Sequence, residues 1–156
     1  VEELKPFVDG RYRTRPGPDS TLLMGSSLGG MFSIYALARH PQVFGAAACL
    51  STHWPISLPP DLVPEAQAMS GACLDWLAET LPRAGSHRLY FDHGDQGLDA
   101  FYGPFQSRMD AIASAKGYAG GDFRSLYFPG ANHDESSWRS RLGLPLAFLL
   151  GPKTGS

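Results

Sequence analysis

The segment Gly25-Ser26-Ser27-Leu28-Gly29-Gly30 fits the pattern Gly-x-Ser-x-Gly. That spacing can turn an ordinary hydroxyl into a nucleophile when a strand precedes it and a helix follows. The chain must reverse sharply at Ser27, which strains the serine and exposes its hydroxyl. Gly25 and Gly29 stand either side of that turn, where a side chain is expected to collide, and Gly30 gives the following helix room against the sheet. The N–H of Leu28, at a helix N-terminus, points toward the serine and supplies half of an oxyanion hole. The same residues could serve as a plain turn or a phosphate loop. A phosphate loop would need Gly-Lys-Ser/Thr, which is absent.

A serine hydroxyl needs a base that titrates near neutral pH, and imidazole is that base. His133 lies in the polar segment Gly130-Ala131-Asn132-His133-Asp134-Glu135. The other histidines fit less well: His40 ends a helix, His87 precedes a strand, His53 follows the second strand, and His93 occupies the place expected of an acid. The imidazole needs a carboxylate to fix its tautomer. In the order serine, acid, histidine, that carboxylate falls in Asp92-His93-Gly94-Asp95-Gln96-Gly97-Leu98-Asp99. Asp92 is still in the strand and Asp95 suits a turn cap, so Asp99 is preferred, with Asp95 as the alternative.

These residues need a scaffold that brings them together. Apolar runs at 21–24 and 44–50 read as buried strands, and 88–91 and 124–128, the latter ended by Pro129-Gly130, read as the third and fourth strands. Helical spacing covers 1–8, 28–40, 64–81, 104–116 and 136–150, with a kink expected at Pro145. A loop over 51–60 carries Pro55, Pro59 and Pro60. Strict alternation of strand and helix implies a parallel sheet covered on both faces. Ligands in such sheets sit at the carboxyl ends of strands, which is where Ser27, His133 and the acid fall. Trp54, just after the second strand, is expected to wall an acyl or alcohol pocket. Phe101, Tyr102, Phe105 and Trp138 read as packing, and Glu135 as a helix start or a brace for the histidine loop.

With 156 residues, the chain reads as a single domain, 1–156. Hydrophobic residues at 43% and charged residues at 18% fit a globular chain and exclude a disordered one. A net charge of −2 offers no basic surface for a phosphate backbone, so no nucleic-acid partner is expected. No apolar run is long enough to cross a membrane, and the opening Val1-Glu2-Glu3-Leu4-Lys5 is not expected to be a signal peptide. Cys49 and Cys73 sit among apolar residues and read as core thiols, not as a bridge or a metal site.

At this point the chain resembles the esterase family that includes enterochelin esterases, S-formylglutathione hydrolase, feruloyl esterases and the mycolyltransferases. The resemblance rests on Arg11-Tyr12-Arg13-Thr14, Met24 to Gly30, Tyr90 to Tyr102, and Gly130 to Leu142 with Trp138-Arg139-Ser140-Arg141-Leu142. It implies an α/β-hydrolase fold, here its C-terminal portion, with about four parallel strands and helices on both faces. It places the nucleophile on Ser27, the base on His133 and the acid after Gly94. Many relatives carry that acid three residues after this glycine, where this chain has Gly97.

The expected activity is cleavage of a small-molecule carboxylic ester through an acyl-enzyme, with no metal or cofactor. Acyl transfer to a sugar or lipid hydroxyl is the alternative within enzymes, and a non-catalytic module the alternative outside them. The resemblance also implies that strands ahead of the elbow, with a second oxyanion donor, lie outside 1–156. On that expectation the chain alone is homo-oligomeric or poorly soluble and turns esters over at least about 100-fold more slowly than a version with those strands.

Overall fold

The computed structural model describes residues 1–54 and 63–152. Four parallel strands form one sheet: β1 (Leu22–Ser26), β2 (Ala46–Leu50), β3 (Arg88–His93) and β4 (Phe123–Tyr127), in the order β1-β2-β3-β4. The helices are α1 (Leu4–Arg11), α2 (Leu28–Arg39), α3 (Val63–Thr80), α4 (Gly103–Ala115), α5 (Glu135–Arg141) and α6 (Gly143–Leu150). The register runs Leu22 to Ala46 to Arg88 and ends with Ser26 beside Leu50 and Leu50 beside Asp92. The carboxyl ends of β1, β2 and β3 therefore lie side by side.

Strand order explains the layering. Parallel strands that step in one direction with crossovers of one hand place every crossover helix on the same face. Accordingly Ala47, Cys49, Leu89 and Phe91 bury that face with Ile34 and Leu37 of α2, Leu74 and Leu77 of α3, and Met109 of α4. The alternate residues Ala46, Ala48, Leu50 and Tyr90 face the other way and pack against Phe148 and Leu149 of α6. β2 is buried throughout and mostly alanine, which lets helices approach it closely from both sides. These features give the α/β-hydrolase architecture expected from the sequence.

Three local expectations shift. The first helix begins at Leu4, not Val1, which puts Pro6 in its first turn, where the missing N–H costs no hydrogen bond. The last helix is not one kinked helix. α5 ends at Arg141 and α6 starts at Gly143, so Pro145 sits in a first turn and starts a helix without bending one. Phe101 is exposed and does not pack into the core. The part of the proline-rich loop from Pro55 to Pro60 lies outside the described residues.

Candidate active site

Ser27 joins β1 to α2 with φ 55° and ψ −123°, a conformation side chains avoid. Its N–H donates to the Leu50 carbonyl at 2.9 Å, which ties the turn to β2. Its own carbonyl accepts from the N–H groups of Gly30, Met31 and His53 at 3.0–3.2 Å. A Cβ on Gly25 would land on the carbonyl carbon of Gly29, so only glycine fits there. Gly29 differs from expectation: a Cβ there meets open space, and its backbone is the obstacle for Gly25. A Cβ on Gly30 would come within 3.3–3.4 Å of Thr52 Oγ1 and Cys49 Cα, so the helix approaches the sheet closely there, as anticipated. Leu28 is the first residue of α2, and its N–H is among those a helix leaves without an internal acceptor.

His133 reaches this turn from the loop between β4 and α5. Its Nε2 lies 2.9 Å from Ser27 Oγ, and its Nδ1 lies 2.7 Å from Asp99 Oδ1. A carboxylate can only accept, so Nδ1 carries the proton and Nε2 is free to accept from the serine. The loop is fixed at both ends. Asn132 Oδ1 accepts from the His133 N–H at 2.9 Å, and the Asp134 side chain caps α5 by accepting from the Ser137 N–H at 2.8 Å. The imidazole stands edge-on to Tyr102 and Trp138, with centroids 5.5 and 5.1 Å away.

Asp99 is buried in the 3-10 turn Gly97–Phe101, and its Oδ2 accepts from Ser51 Oγ and the Gly94 N–H, both at 2.6 Å. Asp95 is engaged elsewhere. Its carboxylate accepts from the Tyr127 hydroxyl at 2.6 Å and the Gly130 N–H at 2.8 Å, bracing the end of β4, and these donors hold it below the usual carboxylate range. Gly97, where relatives are expected to carry the acid, has φ 60°, and a Cβ there would strike Asn132 Oδ1. An acid at 97 would have to adopt a left-handed backbone and displace the Asn132 amide, whereas Asp99 reaches His133 without either.

Trp54 corrects a sequence expectation. Its indole is fully buried and stacks on Phe91 with centroids 6.3 Å apart, so among the described residues it packs in the core. The backbone turns at Ser51 (φ 42°), and the Trp54 N–H donates to the Thr52 carbonyl at 2.9 Å, which tucks the ring inward. The residue at the open side of that loop is His53. Its Nδ1 hydrogen-bonds the Tyr102 hydroxyl at 2.8 Å. Burial, and then the nearby His133, hold its pKa below the ordinary histidine value. A neutral His53 does not oppose positive charge forming on His133.

Two groups escaped the sequence reading. Ser51 follows β2, a strand end already marked for chemistry, yet only its aromatic neighbours drew attention there. Arg141 stood within the Trp138–Leu142 segment and pairs with Asp92 at 3.0 Å, deep in the interior. Burial pushes the Asp92 carboxyl up, with the Arg141 guanidinium pulling the other way. Both cysteines are free, Cys49 buried and Cys73 half-buried. Among the described residues, no cluster of three metal-binding side chains occurs, and no helix is long and apolar enough to cross a membrane.

The family described as "Putative esterase" matches residues 1–149. The chain belongs to this esterase family. Solved structures share the fold of this esterase chain. A ferulic acid esterase is 20% identical with a TM-score of 0.71, over 96% of this chain and 58% of its own. The S-formylglutathione hydrolase from Staphylococcus aureus is 17% identical with a TM-score of 0.67, over 94% and 57%. The enterochelin esterase from Shigella flexneri is 22% identical with a TM-score of 0.69, over 97% and 36%. The esterase chain thus spans less than two thirds of each of these relatives. No curated protein matches it.

Proposed function

We propose that this chain is the catalytic portion of a serine esterase that cleaves small-molecule carboxylic esters. The observation that carries this reading is the hydrogen-bonded series Ser27–His133–Asp99, at 2.9 and 2.7 Å, on an esterase-family chain. His133 Nε2 takes the Ser27 proton as Oγ attacks the ester carbonyl. The oxyanion forms beside the Leu28 N–H. His133 then returns the proton to the leaving alkoxide, so alcohol departs and an acyl-enzyme remains. Water repeats the cycle and releases the acid. Asp99 holds the imidazole in one tautomer and stabilises the imidazolium. The chemistry asks for no metal or cofactor.

The test is turnover of p-nitrophenyl acetate together with fluorophosphonate labelling. Both are expected in the chain and lost in Ser27→Ala, with the label mapped to Ser27. Turnover that survives Ser27→Ala would place the activity elsewhere.

A further inference from the structure

Asp99 holds His133 only while its carboxylate keeps one orientation. Oδ1 must face Nδ1 of His133, so Oδ2 must be pinned. Two donors pin it: the Gly94 N–H and the Ser51 hydroxyl, both at 2.6 Å. The first is backbone and fixed by β3. The second is a hydroxyl rotor, and a rotor pins nothing unless it is itself constrained.

The constraint is visible in the partners of Ser51. Trp138 Nε1 lies 3.0 Å from Ser51 Oγ, and Arg141 Nη2 lies 2.9 Å from it. Indole and guanidinium N–H groups can only donate. The Ser51 oxygen therefore accepts from both, which fills its two lone pairs. Its single proton has one direction left, toward Asp99 Oδ2. The donors are fixed in turn. Arg141 is gripped by Asp92 through Nε at 3.1 Å and Nη2 at 3.0 Å, and its guanidinium lies over the Phe128 ring at 5.0 Å. The Tyr90 hydroxyl donates to the other oxygen of Asp92 at 2.9 Å. The Ser51 N–H donates to the Asp92 carbonyl at 2.7 Å, which anchors this positive-φ residue to β3.

We propose that Ser51 is a positioning residue: Trp138 and Arg141 saturate its oxygen, forcing its proton onto Asp99 and locking the carboxylate that orients His133. The proposal rests on the reading of Ser27, His133 and Asp99 as the catalytic set. Ser51 is fully buried and touches no substrate. Its loss must therefore act on the chemical step and leave ligand binding alone.

The experiment measures fluorophosphonate labelling of Ser27 as a function of probe concentration, which separates the maximal labelling rate from the half-saturating concentration. Proton NMR of the downfield His133 Nδ1–H accompanies it. Ser51→Ala is expected to lower the maximal rate by about 10-fold to 100-fold, the scale of a small misplacement of a catalytic group. It should leave half-saturation within about twofold and shift or broaden the downfield proton. Trp138→Phe, which frees one lone pair of Ser51 and keeps a smaller ring beside His133, should do the same to a smaller degree. A maximal rate within about twofold of the parent, with the downfield proton unmoved, overturns the proposal. If Ser51→Ala does not fold, Ser51→Gly, which removes the same hydroxyl and suits the positive φ, decides by the same two readings. Loss of labelling in Ser27→Ala alongside unchanged labelling in Ser51→Ala strikes this proposal alone. Labelling that survives Ser27→Ala strikes the catalytic reading and this proposal with it.

Discussion

Two aspartates compete for one role, and their partners separate them. Asp99 spends one oxygen on His133 and the other on Ser51 and Gly94. Asp95 spends both oxygens on the end of β4. Asp99→Asn should therefore lower ester turnover by about 10³–10⁴-fold, since an amide favours the wrong imidazole tautomer. Asp95→Asn should leave turnover within about threefold and lower the melting temperature. Adding Gly97→Asp to Asp99→Asn should restore little, because a side chain there strains the left-handed backbone and must displace the Asn132 amide that holds the His133 N–H. Recovery of turnover in the double variant would show that the site tolerates the acid at either place. His53 supplies a prediction in pH. Its folded pKa lies below the unfolded value of about 6.5. The unfolded chain then binds a proton before the folded one does, so the stabilisation is complete above about 6.5 and is lost as pH falls through the folded value. Melting temperatures at pH 7.5 and 5.5 should differ less in His53→Gln than in the parent. Equal differences would assign the acid sensitivity to other groups.

At the scale of elements, the nucleophile turn reveals what spacing can and cannot say. The pattern around Ser27 marked a strand, a sharp reversal and a helix, and all three are present. It also treated Gly25 and Gly29 as equivalent, which they are not. Gly25→Ala should cost about 2–4 kcal/mol, since its Cβ meets backbone that cannot step aside. Gly29→Ala, in open space within a helix, should be neutral or stabilising by up to about 1 kcal/mol. Urea melts of both variants check this, and equal losses would refute it. β2 was legible because a doubly covered strand needs an uninterrupted apolar run, whereas β4, with Arg124 and Ser125, was marked by the Pro129-Gly130 that ends it. The division of the last helix was not. Pro145 looks the same in sequence whether it kinks a helix or begins one, and only the ending of α5 at Arg141 decides. The site divides likewise. Ser27 and His133 are marked by type and chain order, which narrow the acid only to the segment Asp92–Asp99. Ser51 and Arg141 act through the packing of three elements, and Trp54 changed role because one residue at φ 42° turned its ring inward. No local pattern encodes either fact.

For the whole molecule, the sheet is unevenly protected. β2 is buried at every residue and β3 at nearly every one, whereas β1, at the end of the order β1-β2-β3-β4, is only partly covered. Among the described residues, β1 pairs on one side alone, with β2. Met24 on this strand is 42% exposed, and Phe7 of α1 and Phe32 of α2 are 60% and 67% exposed. An unpaired strand edge beside apolar surface is a template for another chain. A net charge of −2 opposes association only weakly. The 156-residue chain should therefore sediment as a dimer or larger species at tens of micromolar, about the range where exposed edges find each other. A lysine on an edge strand blocks such pairing, because docking would bury its charge. Met24→Lys should shift the distribution toward monomer while leaving fluorophosphonate labelling of Ser27 in place. Sedimentation velocity on both proteins measures this. A parent chain that is monomeric throughout that range would show that its apolar surface is too dispersed to act as an interface. An oligomer unmoved by Met24→Lys would place the contact away from β1, on the exposed faces of α1 and α2 or at β4, the other end of the sheet.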